Sequence, residues 1–379
     1  MTKLIQLGIL ILPWVFLPKA FMPAPYDQFR TAQEVCFNLI CLGIIFFSFK
    51  DGLKYLYRNK YLAVLVSWIF ITFWFNFYYP YAMKGVINIS LIVPMVHTLL
   101  VVWTSFIALS YLDSDNFIEI AKALCLSATI VAVFALLQIS GLDPIGKAGM
   151  YKHDQINHCT AFFGHFNLVG NYLAIIAPLF LFFKEKKYLI GFVIVCACCI
   201  LSKSDMSLIA LVIGIFITLC LKFRFNKKIL LGIFLIFFLL GSGFVIKNYD
   251  SIKNGSIMTG RQVIWKQAYE KGIKQNPLFG QGIGCFKTLP VWDGPTKCLE
   301  AHNDWIERTV DWGLLGTFLM ILIVINALRN FNYKKGNDLG FSYMGAFIAF
   351  LFVMIGSFPM EIAPLGFAGL IVWWSVEKL

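Results

Sequence analysis

Apolar runs long enough to cross a bilayer recur along most of the chain, near 4–21, 32–49, 61–80, 86–111, 118–140, 159–183, 188–202, 205–222, 229–246, 306–328, 341–358 and 362–376. A segment of about 20 apolar residues crosses the hydrocarbon core as a helix, because each backbone amide and carbonyl must find its partner within the segment. The pattern predicts an all-α polytopic membrane protein of about twelve transmembrane helices. The seventh and eighth runs are short enough to form one broken, re-entrant hairpin instead. A signal peptide is the alternative for the first run. That run lacks a small-x-small cleavage site and is interrupted by Pro13 and Pro18, which favours a retained anchor.

The polar positions between the runs give an orientation. Dense basic clusters fall in alternate loops: Lys50, Lys54, Arg58 and Lys60; Lys184, Lys186 and Lys187; Lys222, Arg224, Lys227 and Lys228; Arg329, Lys334 and Lys335. Lys and Arg are retained on the cytoplasmic side, so the N-terminus is expected inside. One interhelical segment is long, from about Lys247 to Trp305, and this orientation puts it on the outer face. The organisation expected is therefore membrane helices over 1–246, an outer loop over 247–305 carrying the chemistry, and membrane helices over 306–379.

Composition agrees with that architecture. Hydrophobic residues make up 59% of the 379 and charged residues 14%, against about 25% charged in a soluble domain. The net charge of +12 is largely topological. Its clusters are short and lie at membrane edges with no nucleic-acid-binding module, so the expected partners are membrane lipids and no nucleic acid.

Chemistry-bearing residues concentrate in the outer loop. "TGRQVIWKQAYEKGIKQNPLFGQGIG" predicts an amphipathic helix capped by Thr259 and ended before Pro277, with Val263, Ile264 and Ala268 on one side. Arg261 and Trp265, four apart, are neighbours on one face, an arrangement that equally suits contact with lipid headgroups. Gly280, Gly282 and Gly284 permit positive backbone angles and close approach of a ligand, or simply a turn. Cys285 and Cys298 share the loop, and an oxidising outer compartment allows a disulfide between them.

"CLEAHNDWIERTVDWGLLG" follows. Asn303 or Asp304 is a natural cap for the tenth membrane helix, which places His302 beside the positive end of the helix dipole. Such a field disfavours protonation, and a neutral imidazole is what a general base requires. The competing reading is a structural histidine at a helix start. Upstream, His153, His158, Cys159 and His165 share an outer stretch, but their spacing fits no common zinc framework, so no metal is expected.

Taken together, the Gly-Arg at 260–261, Trp265, Pro277, the Gly-x-Gly of "FGQGIG", the Ala-His-Asn at 301–303 and the Gly-x-x-Gly at 313–316 resemble, in order, the signature of the O-antigen ligase family. That family includes O-antigen polymerases and bacterial O-oligosaccharyltransferases. "FGHFNLVGNYLA" is similar to the family's asparagine-containing helix start, with Asn167 at the matching position. One departure is "LSKSDMSLIA", where members carry a Ser-Arg pair; Asp205 stands at the arginine position and Lys203 could supply the charge. Lysine, however, is a point charge without a planar fork.

The resemblance implies a glycosyltransferase, without cofactor or metal ion, in the bacterial inner membrane with its site on the periplasmic face. It would move an O-antigen-type glycan from undecaprenyl diphosphate to an acceptor hydroxyl, with lipid A core favoured over a growing chain or a Ser/Thr side chain. It further implies His302 as catalytic base, Arg261 and Lys203 on the diphosphate, and Trp265, Asn167, Asn303 and Glu307 as substrate-binding or positioning residues. Glu361, in "SFPMEIAP" on the same face, is a weaker candidate. The rival class is a transporter or flippase of lipid-linked oligosaccharide; against it stand the scarcity of ionisable residues within spans and the absence of evident inverted repeats. A purely structural subunit leaves the ordered Arg, Gly and His elements unexplained.

Overall fold

The computed structural model of the chain describes residues 2–11, 50, 53–54, 60–69, 71–72, 114–142, 161, 163, 165–224, 261–282, 285–288, 301–331, 333, 337–357, 359–361 and 363–379. Among these residues all regular structure is helical. The runs near 32–49, 86–111 and 229–246 lie outside them, as do Thr259, Gly284, Cys298, His153, His158 and Cys159.

In chain order the helices are α1 (Thr2–Ile11), α2 (Lys60–Ile69), α3 (Ser114–Ile139), α4 (Phe166–Phe180), α5 (Lys186–Leu201) and α6 (Asp205–Lys222). There follow α7 (Arg261–Gln267), the short α8 (Cys285–Thr288), α9 (Asp304–Asn330), α10 (Asp338–Gly356) and α11 (Ala363–Lys378). Asn116–Ile139, Asp205–Lys222, Asp304–Asn330 and Asp338–Gly356 are long and apolar enough to cross a membrane.

The seventh and eighth apolar runs are two helices, α5 and α6, joined by the turn Ser202–Ser204. Lys203 at its middle adopts a left-handed backbone, φ 56°. The turn closes on α4 at Gly170, where an added Cβ would lie 2.6 Å from the hydroxyls of both Ser202 and Ser207.

α10 is the centre of the bundle, packing on α4, α6 and α11. It is buried nearly all round, with Tyr343, Phe347, Phe350, Val353 and Met354 fully enclosed. Where it crosses α6, a Cβ on Gly214 would lie 3.0 Å from the carbonyl oxygen of Gly345. Between membrane helices hydrophobicity supplies no net drive, and small residues that let backbones approach hold the pair by van der Waals contact.

α9 is two helices, not one. Gly313 breaks it with φ 71° and ψ 178°. Such a break frees backbone groups, and four of them find partners from elsewhere in the chain. The Val310 carbonyl accepts from Gln281 N at 2.7 Å and the Asp311 carbonyl from Gly282 N at 2.9 Å, while Leu314 N donates to the Pro277 carbonyl at 2.7 Å. Trp68 Nε1, from α2, donates to the Trp312 carbonyl at 2.9 Å. An unpaired peptide group near lipid is costly, so the glycine stretch at 280–282 acts as the cap of a broken apolar helix. Gly280 and Gly313, both at φ 71°, cross so closely that a Cβ on Gly280 would meet the backbone of Asp311 and Gly313. Gly280 therefore accommodates another backbone, and both it and Gly282 take the positive angles expected of them. From Leu314 to Leu328 the helix carries no charged residue, so the apolar span begins after the break.

Candidate functional site

The short segment ahead of the break, 304–312, is fixed at its N-terminus by its own side chains. Asn303 caps it, its Oδ1 accepting from Ile306 N at 3.1 Å. Glu307 reaches back, and its Oε2 accepts from Ala301 N at 3.3 Å. Glu307 is buried rather than part of a solvated first turn. Asp304 N donates to the Ser357 carbonyl at 3.1 Å, and Met360 N donates to Asp304 Oδ2 at 3.0 Å, so the helix start is tied to the chain leaving α10. Between these anchors His302 is held left-handed at φ 51°. A non-glycine residue in that region is strained and persists only where its surroundings over-determine it.

Arg261 and Trp265 share a face of α7, as their spacing predicts, and that face meets protein. Arg261 Nη1 donates to the Gly356 carbonyl at 3.2 Å. Trp265 Nε1 donates to the Ala301 carbonyl at 2.8 Å, immediately before the histidine. Ile264 packs on a small cluster made by Ala268, Phe286, Ala301 and Val310. Val263, expected on the same side as Ile264 and Ala268, is 60% exposed. The difference is one of helical geometry: Ile264 and Ala268, four apart, share the packed side, while Val263, next to Ile264, is rotated by about 100° away from it.

The electrostatics follow from this enclosure. Burial lowers His302 from 6.5 to about 4, with the charges of Arg261 and His165 acting in the same direction. Burial also lowers the Arg261 guanidinium from its ordinary value. His302 is thus held toward its neutral form, with the Arg261 cation close enough to contribute.

His165 belongs to α4. Its Nδ1 accepts from Asn167 N at 3.1 Å and so caps the helix. Asn167 is half-buried in the first turn, four residues before Asn171 and hence on the same face. Lys203 is exposed on its turn, next to Ser204. The side chain of Glu361 and the partner proposed for Cys285 fall outside the described residues.

Residues 190–321 match the model of the O-antigen ligase family. The chain carries an O-antigen ligase domain. The match spans the Lys203 turn, Arg261, the glycine stretch, His302 and the break at Gly313. No curated protein matches the chain. The match supports a glycosyltransferase of the O-antigen ligase or polymerase type, a family that implies a lipid-linked glycan donor and a glycan acceptor.

Within this O-antigen ligase domain lies a cluster that the sequence pattern did not reveal. Arg308, 4% exposed, stands among three enclosed carboxylates. Its Nη1 donates to Asp311 Oδ2 at 3.2 Å, and its Nη2 is 3.8 Å from Asp304 Oδ1 and 4.0 Å from Glu307 Oε1. Its guanidinium also covers the Trp312 ring, 5.4 Å from the centroid. Asp311 Oδ1 accepts from Phe286 N at 3.2 Å, which fastens α8 to the same segment. A signal does exist in the sequence: Asp304, Arg308 and Asp311 stand at i, i+4 and i+7, one helical face. The apolar run that follows disguises it, because the segment looks like the mouth of an uninterrupted span.

Proposed function

We propose that the protein transfers an O-antigen-type glycan from undecaprenyl diphosphate to an acceptor hydroxyl on the periplasmic face of the bacterial inner membrane, with the lipid A core sugar as acceptor. The reading is supported above all by the joint anchoring of a cation and a neutral base. Arg261 rests on Gly356 and Trp265 on Ala301, and His302 stands between those anchors, lowered to about 4.

In a single inverting displacement, the acceptor oxygen forms a bond to the anomeric carbon as the bond from that carbon to the diphosphate oxygen breaks. The electron pair leaves on the diphosphate, whose charge Arg261 offsets with paired hydrogen bonds. The acceptor proton passes to His302. The step needs no cofactor or metal ion. Asn303 and Glu307 act through the backbone of the helix start, which sets where His302 stands. Asn167 lines the donor side and Lys203 meets the second phosphate.

The family match leaves polymerase and protein O-oligosaccharyltransferase as alternatives that differ only in the hydroxyl served. A transporter of the lipid-linked glycan is disfavoured by the uncharged stretch from Leu314 to Leu328, which offers no mid-span relay.

The test is complementation of a gene deletion, with lipopolysaccharide resolved on gels. Loss of all O-chains from lipid A, with long chains accumulating on the carrier, identifies a ligase; core bearing a single repeat identifies a polymerase. Arg261→Ala and His302→Asn, at equal protein level, are expected to lower transfer by about 10²- to 10⁴-fold. Full transfer by both variants overturns the assignment.

A further inference from the structure

Ser357, the residue that leaves α10 and opens the stretch "SFPMEIAP", has a side chain with no role assigned above and lies outside the matched region 190–321. Two consecutive carbonyls at this point serve the two halves of the site. Gly356 O accepts from Arg261 Nη1 at 3.2 Å, and Ser357 O accepts from Asp304 N at 3.1 Å. The separation between Arg261 and the His302 segment is therefore set by a single backbone unit, the residue Ser357, extended at φ −151° and ψ −172°.

That unit is itself held from behind. Asn171 Nδ2, on α4, donates to Ser357 Oγ at 2.8 Å, across 186 residues of sequence. Asn171 Oδ1 accepts from Ser207 Oγ at 2.8 Å, and Ser207 Oγ lies 2.7 Å from Ser204 Oγ. A hydroxyl has one proton, so Ser207 gives its own to the amide and accepts that of Ser204. Asn171 is 1% exposed, Ser207 0%, Ser357 4% and Ser204 5%, so the chain of hydrogen bonds is shielded from water along its length. It ends at the turn that presents Lys203. In a low-dielectric interior a fully satisfied polar network specifies one geometry, and a partly satisfied one is costly.

We propose that the Asn171–Ser357 hydrogen bond is a positioning device of the transfer site, holding the Gly356–Ser357 peptide where Arg261 and His302 engage one substrate and registering both against the Lys203 turn. The inference rests on the roles proposed above for Arg261 and His302. Neither Asn171 nor Ser357 touches substrate. Their contribution is geometric, and a displacement of about 1 Å at reacting groups can cost on the order of 10²-fold in rate.

The experiment uses purified full-length protein in vesicles, with a polyprenyl-diphosphate-linked oligosaccharide as donor and core-lipid A as acceptor. Ser357→Ala, Asn171→Ala and the double variant are compared with Ser357→Thr, which keeps the hydroxyl. Ser357→Ala is expected to lower kcat by about tenfold or more, with the donor KM changed less than about threefold, because ground-state binding survives while alignment is lost. Ser357→Thr should restore most of the rate. The double variant should be no slower than the slower single one, as for two ends of one contact.

If Ser357→Ala does not accumulate, Asn171→Ala removes the same bond and carries the same expectation. A wild-type kcat in either single variant overturns the proposal, as do multiplicative losses in the double variant or a KM effect alone. Arg261→Ala and His302→Asn run in the same assay separate the two levels. If those retain transfer, the catalytic assignment falls. If they lose it while Ser357→Ala does not, the positioning role alone falls.

Discussion

Trp265 Nε1 donates to the carbonyl of Ala301 at 2.8 Å, so the residue one turn after the arginine holds the residue before the histidine. Trp265→Phe keeps a ring in place and removes only the donor, leaving the carbonyl of a residue that is 0% exposed without it. Loss of a buried partner costs about 1–3 kcal/mol. The expected result is a protein that still accumulates but transfers about tenfold more slowly through misplacement of His302. Glycan transfer per unit of protein in vesicles checks it; an unchanged rate means that the tryptophan serves only packing.

The crossing of Gly280 and Gly313 predicts a severe effect far from any reacting atom. An alanine at Gly313 would need φ 71° and would drive its Cβ into the Leu278 carbonyl. The strain of the left-handed backbone adds to the clash. Gly313→Ala is expected to abolish accumulation in the membrane or to lower thermal stability by well over about 2 kcal/mol. Gly8→Ala on α1, where a Cβ meets nothing within 4 Å, is the matching control and should be neutral. Immunoblots and detergent melting curves compare the two.

Part of this arrangement is legible in the sequence alone, and the reasons differ residue by residue. The Arg261–Trp265 face and the Asn303 cap follow from local spacing, which helical geometry translates directly into neighbourhood. The depressed basicity of His302 is readable in direction from its place at a helix start, but its main cause is burial. The break at Gly313 is not readable, because residues 306–328 keep an apolar pattern across it. Its caps come from Pro277, Gln281, Gly282 and Trp68. The Asn171–Ser357 bond is equally hidden, since nothing in either quoted stretch pairs it with the other and 186 positions separate them.

Arg308 predicts a charge-balance effect. Its side chain and those of Asp304, Glu307 and Asp311 are all enclosed. Removing the cation alone strands three carboxylates, and breaking a buried ion pair from one side typically costs about 3–5 kcal/mol. Arg308→Met should therefore fail to accumulate. Arg308→Lys keeps the charge but loses the planar fork, and should accumulate with a lower melting temperature. Arg308→Met combined with Asp311→Asn should recover part of the lost level. Immunoblots of membrane fractions decide among these, and normal accumulation of Arg308→Met would show that the charge is dispensable.

The acid limb of the pH–rate profile tests the proposed base. His302 in the free site titrates near 4 instead of 6.5, first through burial and then through the charges of Arg261 and His165. The limb of kcat/KM, which reports the free enzyme, is accordingly expected near pH 4, with no fall as pH drops through 6.5. Bound donor brings an anionic diphosphate to Arg261 and offsets one of the charges that depress His302. The limb of kcat, which reports the bound complex, should therefore lie at higher pH than that of kcat/KM. Arg261→Gln removes the same charge by mutation and should move the free-enzyme limb upward. Stability has a matching sign: the native imidazole is neutral while the unfolded one binds a proton below about 6.5, so unfolding is favoured increasingly as pH falls from 6.5 through about 4. Initial rates at saturating and at limiting donor, measured from about pH 4 to 8, separate the two limbs. Coincident limbs near 6.5 would mean that His302 is neither enclosed nor influenced by Arg261 in the working enzyme.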